Sequence, residues 1–432
     1  MKKGQVYSCK IDKNVFPGTG VCTLEGEEIA IQGAYLDEEV SFRLLGRKKG
    51  QRVGQLLERI EAPCNQFDRC GGCISQHLSL DRQREIKLME VKDLFSKQGI
   101  DLEDLEIFGD DQTFFYRNKV EFNFGDSYLG GPLELGFFQR NMGKNVLPTT
   151  ECLLVHEDIR RIRDYIHSFS LERGYQHYHV MKREGFLRNL VLRRGHYTGE
   201  IMVNLVTTTQ QELDTSFVAG LLNLKLEGEI VSVLHTENDS LSNFVYADRI
   251  NLLYGRDYIE EKLLGRTFRI SPFSFFQTNT RGAEVLFERL KKMVGKKEGS
   301  LYDLYCGTGT IGLLLSDQAK GILGVEIVEE AVEAARENAL RNGVHNAHYY
   351  AMDVKDLDLE GKERPEILVV DPPRSGLHPK LIRSIIDLNV KEIFYVSCNP
   401  KSLLRDLLTF QEEGYSLEKM ELVDLYPNTP HV

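Results

Sequence analysis

Cys398 stands in SCNPKSL, just beyond the strand-like run EIFYVS, and two other segments with chemical potential precede it: DPPRSG at 371–376 and DLYCGTGTIG at 303–312. A thiol at a strand end is a covalent nucleophile, and a glycine-rich strand-to-helix turn lets backbone approach a ligand closely. Together with the acidic turn at Asp371, the spacing describes a methyl donor held beside a nucleophilic sulfur.

The elements that must position these groups follow a regular order. From residue 299 onward the strand-like runs SLYDLYC, GILGVEI, AHYYAMD, EILVVD and EIFYVS alternate with the helical runs TIGLLLSDQ, EEAVEAARENALRN, LIRSIIDL and KSLLRDLLTFQEE. That alternation predicts a parallel, doubly wound, Rossmann-like sheet over 266–432, whose ligands bind at the carboxyl ends of the strands. Glu326 ends the second strand, where an acid accepts both ribose hydroxyls of an adenosine, and Asp353 follows the third, where it meets an adenine amino group. The turn itself runs Cys306-Gly307-Thr308-Gly309-Thr310 and departs from the G-x-G-x-x-G of dinucleotide sites. With Asp303 also in register, S-adenosylmethionine is favoured over NAD, its nearest rival, because no phosphate needs cradling.

The thiol points to the acceptor. Carbon 5 of uracil is a poor nucleophile, but a thiolate added at carbon 6 turns the ring into an enolate whose carbon 5 can take a sulfonium methyl group. The sulfur must be partly ionised for this, and its place ahead of a helix beginning near Lys401 is expected to lower its pKa. Arg374 occupies the place after DPP where adenine-methylating enzymes carry an aromatic residue to stack the base, so amine methylation is not expected.

Upstream, residues 1–60 alternate apolar and polar positions between glycine-bearing turns, which suggests a small, OB-like β-barrel closed off by Pro63. Residues 61–265 read as a central α+β domain. It contains an amphipathic helix over Ser79–Gln98 with apolar Leu80, Ile86, Met89, Leu94 and Phe95, a helix near 156–172, and strands such as KVEFNFG, LELGFFQ, NLVLRRG and EIMVNLVT. The fold class expected is therefore multidomain α/β.

At 432 residues the chain exceeds one hydrophobic core, and neither an apolar run of eighteen residues nor a signal-like N-terminus is present, so a soluble, cytoplasmic protein without a membrane partner is expected. No obligate protein partner is legible. A net charge of -11 argues against coating nucleic acid by bulk attraction. Two local basic clusters, Arg47, Lys48, Lys49 and Arg52, and Lys182, Arg183, Arg188, Arg193 and Arg194 around Phe186, could still grip phosphates or be ordinary solvated loops. Of the eight cysteines, Cys64, Cys70 and Cys73 form C-x5-C-x2-C, and Cys152 lies downstream as a possible fourth ligand; Cys9, Cys22 and Cys306 are expected as unpaired core residues.

DLYCGTGTIG, DPPRSG, SCNP and the ending YPNTPHV resemble the RNA uracil-5-methyltransferase family over essentially the whole chain. The N-terminal region, with VFPGTGVCTLEGEEIAIQGAYLDEEV, resembles the RNA-binding TRAM domain of several members. The resemblance implies donor contacts at Gln277, Tyr305, Thr310, Glu326, Asp353 and Asp371, with Cys398 as nucleophile and Asp371 also catalytic. It implies a [4Fe-4S] cluster on Cys64, Cys70, Cys73 and Cys152, a donor set for which zinc is also chemically possible. The radical C-x3-C-x2-C pattern is absent, so the cluster is not expected to cleave the donor.

In the family a histidine precedes by two residues a glutamate that removes the carbon 5 proton, and the sequence as given ends at His431-Val432. The expectation is a truncated form, a substitute base such as Asp371, or turnover that stalls at the covalent adduct. The resemblance, with barrel and cysteine cluster both present, implies 23S rRNA as substrate, presented as a flipped-out uridine, with tRNA as the alternative. A non-catalytic RNA-binding or folding factor is the second class.

Overall fold

The computed structural model of the protein describes residues 1–57, 62–67, 69–140, 142, 145–241, 248–356 and 364–432. A parallel five-stranded sheet carries the motifs, in the spatial order Ala347–Ala351, Gly321–Glu326, Ser300–Leu304, Ile367–Val370 and Glu392–Tyr395. Strand order reverses between Ser300–Leu304 and Ile367–Val370, which opens a crevice at their carboxyl ends.

Both faces of this sheet are buried, which is why its strands read as apolar runs rather than alternations. Leu301, Ile322, Ile367 and Val369 face one core, shared with the helices Thr280–Val294 and Glu329–Arg341. Tyr302, Leu304, Val325, Leu368 and Val370 face the other, against the helix Pro379–Leu388 and Phe410. Each fully buried aliphatic side chain contributes roughly 1.5–3 kcal/mol, so burial on both faces is a large part of what holds these strands in the interior. The helix after the glycine turn is short, Thr310–Leu314, rather than the full TIGLLLSDQ run.

A seven-stranded sheet precedes it, ordered Val146–Pro148, Leu133–Phe138, Lys119–Asp126, Leu187–Arg194, Glu200–Thr207, Glu229–Glu237 and Arg249–Gly255, with the helix Glu157–Glu172 packed against it. The boundary expected after residue 265 lies in the turn of a hairpin joining Ile259–Leu263 and Arg266–Ile270; the one expected after residue 60 falls outside the described residues. At the N-terminus, six strands between Val6 and Leu56 form one sheet around Ile11, Cys22, Ile29, Ile31, Phe42 and Leu44. Cys9 and Cys22, expected as unpaired thiols, form a disulfide with Cα atoms 6.4 Å apart. They lie on strands that are not neighbours in the sheet, so the sheet curls back on itself and brings the two sulfurs together.

The helix predicted over Ser79–Gln98 runs Leu80–Ser96, with the Ser79 hydroxyl accepting the Arg82 amide at 3.3 Å and Gly99 following in the left-handed region. Its buried face is partly polar: Gln83, Lys87 and Glu90 point inward with Ile86, Val91 and Phe95, whereas Met89, expected on the apolar face, is exposed. The reason lies at the other end of the chain. Lys87 Nζ donates to Asp424 Oδ1 at 2.5 Å and to the Tyr426 carbonyl at 3.2 Å, and Gln83 Oε1 accepts the Asn428 amide at 2.7 Å. Glu421–Val423 meanwhile pairs in parallel with Glu106–Phe108.

A buried pair broken on one side leaves an uncompensated charge. Lys87→Met should therefore lower the unfolding free energy by about 3–5 kcal/mol in urea denaturation. Lys87→Met combined with Asp424→Leu should recover part of that loss, and additive single effects would contradict the pairing.

Candidate active site

The carboxyl edge of the parallel sheet gathers the sequence-predicted residues. Gln277, Tyr305, Thr310 and Asp371 line one pocket together with Cys306 and Phe276. The Gly307 amide donates to Glu326 Oε2 at 3.2 Å, and the amides of Ile327 and Val328 donate to Oε1 at 2.8 and 3.1 Å, so Glu326 is fixed against the turn. Asp353 follows its strand as expected, and the charges of Asp353 and Glu326 both act on Tyr305, whose phenol is pushed up first by burial.

The turn needs its glycines. Tyr305, Gly307 and Gly309 all take positive φ, at 65°, 54° and 77°. A Cβ on Gly309 would lie 2.9 Å from Ala335 Cβ and from the Tyr349 hydroxyl, so no larger residue fits. Asp303 is fully buried beneath the turn, accepts the Gly312 amide at 2.8 Å through Oδ2, and has its carboxyl pushed up to about 7, first by burial. Asn338 Nδ2 donates to the Thr308 carbonyl at 3.2 Å and its Oδ1 accepts the Arg269 amide, which ties the turn to the preceding hairpin. The donor set (fixed carboxylates, an aromatic ring and close-approaching backbone) fits a ribose, an adenine and a positively charged sulfonium.

Cys398 is exposed at the same edge. The next residue, Asn399, caps the helix Pro400–Glu412 through the Lys401 amide at 3.2 Å and donates from Nδ2 to the Arg374 carbonyl at 2.9 Å. Asn399 thus braces the thiol loop to DPPRSG. The sequence expectation of a lowered thiol pKa is corrected here: burial pushes Cys398 up, the Asp371 charge pushes it further, and only Arg374 and a backbone amide oppose them. The helix begins with Pro400, which has no amide proton to offer. Asp371 is itself pushed up to about 7 by burial.

Sequence reasoning missed Tyr426. Its hydroxyl donates to Gln277 Oε1 at 3.3 Å, and Cys398 and Asp371 both act on it electrostatically. Asn118 positions the same segment from the seven-stranded sheet, donating from Nδ2 to the Gln277 carbonyl at 3.0 Å and from its amide to the Thr278 carbonyl at 2.9 Å. The only signal for Tyr426 was its place in YPNTPHV.

Cys64, Cys70, Cys73 and Cys152 come together away from this pocket. Cys73 is pushed up to about 12 and Cys152 to about 11, in each case first by burial and then by neighbouring thiols of the group; Cys70 is raised for the same first reason. Arg140 donates to the carbonyls of Cys70 and Cys73, clasping the loop. Among the described residues no three His, Cys, Asp or Glu side chains are arranged to hold a metal ion. Of the second basic cluster, Arg188, Arg193 and Arg194 are committed inward, to the carbonyls of Asn238 and Ser240, to those of Pro272 and Ser274, and to Asp158. In the first, Arg47 and Arg52 both pair with Glu27.

The family described as tRNA (Uracil-5-)-methyltransferase matches residues 231–432. An uncharacterized RNA methyltransferase of Clostridium tetani is 42% identical, over 100% of this chain and 97% of that one. Another, of Caldanaerobacter subterraneus, is 40% identical over 100% and 98%. The crystal structure of Pyrococcus abyssi tRNA (uracil-54, C5)-methyltransferase in complex with S-adenosyl-L-homocysteine superposes with a TM-score of 0.78 and 28% identity, covering 98% of this chain and 97% of that one. The carboxyl-edge geometry and these full-length likenesses agree, and the chain belongs to the RNA uracil-5-methyltransferase family.

Proposed function

We propose that this S-adenosylmethionine-dependent enzyme methylates carbon 5 of a uridine in 23S rRNA through a covalent adduct between Cys398 and carbon 6. The observation that carries the reading is the exposed Cys398 thiol held beside Asp371 at the edge that also presents Tyr305, Thr310 and Gln277. Bound donor supplies an electrophilic methyl group. Gln277, Tyr305, Thr310, Glu326 and Asp353 hold the donor in this reading.

The chain's own steps follow from its electrostatics. Cys398 rests as the neutral thiol, and Arg374 favours its ionised form. The thiol gives its proton to solvent and the thiolate adds to carbon 6; the resulting enolate takes the methyl group at carbon 5 with release of a neutral thioether, and loss of the carbon 5 proton expels the sulfur as thiolate and restores the double bond. Asp371 is assigned as the base for that proton, because burial has raised its proton affinity to the neutral range where a general base works best.

The curled six-stranded sheet fits a TRAM-like RNA-binding domain. The four thiols, Cys73 buried and the other three half-buried, fit a [4Fe-4S] site in chemistry: thiols raised by burial and by one another need a cationic centre to ionise. These two features support 23S rRNA. tRNA is the second reading, favoured by a tRNA enzyme that aligns over nearly the whole chain.

Transfer of labelled methyl groups to unmodified 23S rRNA and unmodified tRNA transcripts separates the two, and transfer to tRNA alone would sink the first. Cys398→Ala should abolish methylation and the denaturation-resistant complex with RNA bearing 5-fluorouridine, whose fluorine cannot leave as a proton does. A complex that survives in the alanine variant would remove Cys398 from the mechanism.

Asp371→Asn should act in two directions. It removes a charge that raises the Cys398 pKa, so iodoacetamide labelling of Cys398 at pH 8 should speed up, while methylated adduct with ordinary uridine accumulates on denaturing gels. Both Cys398 and Asp371 work deprotonated and the thiol titrates above the neutral range, so the wild-type rate should fall about tenfold per unit between the thiol's pKa and about pH 7 and about a hundredfold per unit below it. A slope that stays near tenfold per unit below about 7 would contradict the assignment of Asp371. Anaerobically purified protein should carry iron that Cys152→Ser loses; full iron in that variant would place the fourth ligand elsewhere.

A further inference from the structure

A second cavity opens on the seven-stranded sheet, and nothing in methyl transfer uses it. Its base is formed by Lys119–Asp126 and Leu187–Arg194, and the turn from His177 to Val180 walls it. It encloses about 190 Å³, several times the ~30 Å³ share of a water molecule, so a planar ring fits where a lone water would not fill it.

Its side chains are those that recognise a base. Asn189 and Asn123 face each other across neighbouring strands, Asn189 Nδ2 donating to Asn123 Oδ1 at 3.1 Å. That bond uses the Asn189 amino group and the Asn123 carbonyl, so the Asn123 amino group and the Asn189 carbonyl remain as a donor and an acceptor for a base edge such as the N7 and N6 edge of adenine. The Arg188 guanidinium lies 4.6 Å from the centre of the Tyr178 ring, so the aromatic wall is held rigid rather than left to rotate. His177 and His179 lie with ring centres 6.3 Å apart, and His177 is 3.4 Å from Asp126. The two members of the second basic cluster that are exposed, Lys182 and Arg183, come directly after this wall.

We propose that this cavity binds an adenine splayed out of the RNA substrate, with Lys182 and Arg183 against its phosphate; this rests on the reading of the enzyme as one that acts on structured RNA. Specific recognition of folded RNA works through unstacked bases laid on aromatic and guanidinium planes, and a second captured base would fix the distance and direction from which the target uridine reaches Cys398. The exposed side chains of Leu129 and Phe138 border the opening and offer apolar contact to the neighbouring sugar.

Calorimetric titration of the full chain, with S-adenosyl-L-homocysteine saturating the donor site, tests this with AMP and UMP as probes. AMP should bind at one site, and UMP at least about tenfold more weakly, in line with a bidentate edge contact. Tyr178→Ala, and separately the surface double variant Lys182→Glu/Arg183→Glu, should weaken AMP. Both should raise the KM for RNA by about fivefold or more, the low end of base–aromatic stacking, with a larger effect on KM than on kcat. The surface pair guards against a folding defect in the tyrosine variant. Absence of AMP binding, equal binding of UMP, or AMP binding and RNA KM unchanged in both variants would overturn the proposal. Failure of the wild-type protein to methylate any RNA would instead remove the functional reading, and the AMP titration would then judge the cavity by itself.

Discussion

The segment Asp424–Thr429 is the constraint on which the rest of the site depends. It crosses the interior as irregular chain, so its polar backbone must be satisfied by side chains from elsewhere. Lys87 takes the Tyr426 carbonyl, Tyr116 donates to that of Pro427 at 2.9 Å, and Asn279 donates to that of Leu425 at 2.9 Å. Asn428, at a φ of 67°, receives Gln83 on its side chain at 3.1 Å and donates to the Thr113 carbonyl at 2.7 Å. One strap thereby joins the helix Leu80–Ser96, the approach to the seven-stranded sheet and the helix Thr280–Val294, and it sets Tyr426 against Gln277.

The electrostatics of the site follow from that packing. Burial raises Asp303 and Asp371 to about 7 and raises Cys398, so the pocket avoids holding several adjacent negative charges at rest. A cationic donor entering such a pocket supplies the opposite charge. The neutral thiol is also protected from oxidation and from stray electrophiles, because the thiolate is the reactive form. Reactivity then depends on what occupies the site, which couples the nucleophile to the assembled complex.

The N-terminal sheet is joined to this machinery rather than hung from it. The centre of the Phe16 ring lies 5.7 Å from Nζ of Lys401, the second residue of the helix that follows Cys398, and the Gly18 amide donates to Glu90 Oε2 at 3.0 Å. A side chain at Gly18 would collide with Ile74 and Pro430, at 2.6 and 2.8 Å from its Cβ. The N-terminal sheet is therefore held in a fixed relation to the thiol loop.

The sequence by itself determined the parallel sheet and the chemistry at its edge. Two-sided burial forces the apolar runs that identify the strands, and the groups that matter sit one to three residues beyond those runs, so spacing along the chain places Tyr305, Asp353, Asp371 and Cys398 at one edge. Only the tertiary structure decided what each group's surroundings do. Proximity to a helix start suggested an acidic thiol at Cys398, yet burial pushes it up, Asp371 from another strand end opposes ionisation, and Pro400 withholds an amide. Nothing in the pattern marked Lys87 as buried, on a helix where its partner lies more than three hundred residues downstream, and Arg188, Arg193 and Arg194 could have been solvated until the carbonyls and carboxylate they serve were brought against them. Periodicity reports which face of an element is apolar; it carries no information about which distant polar group arrives to be neutralised, because desolvation and pairing depend on three-dimensional neighbours.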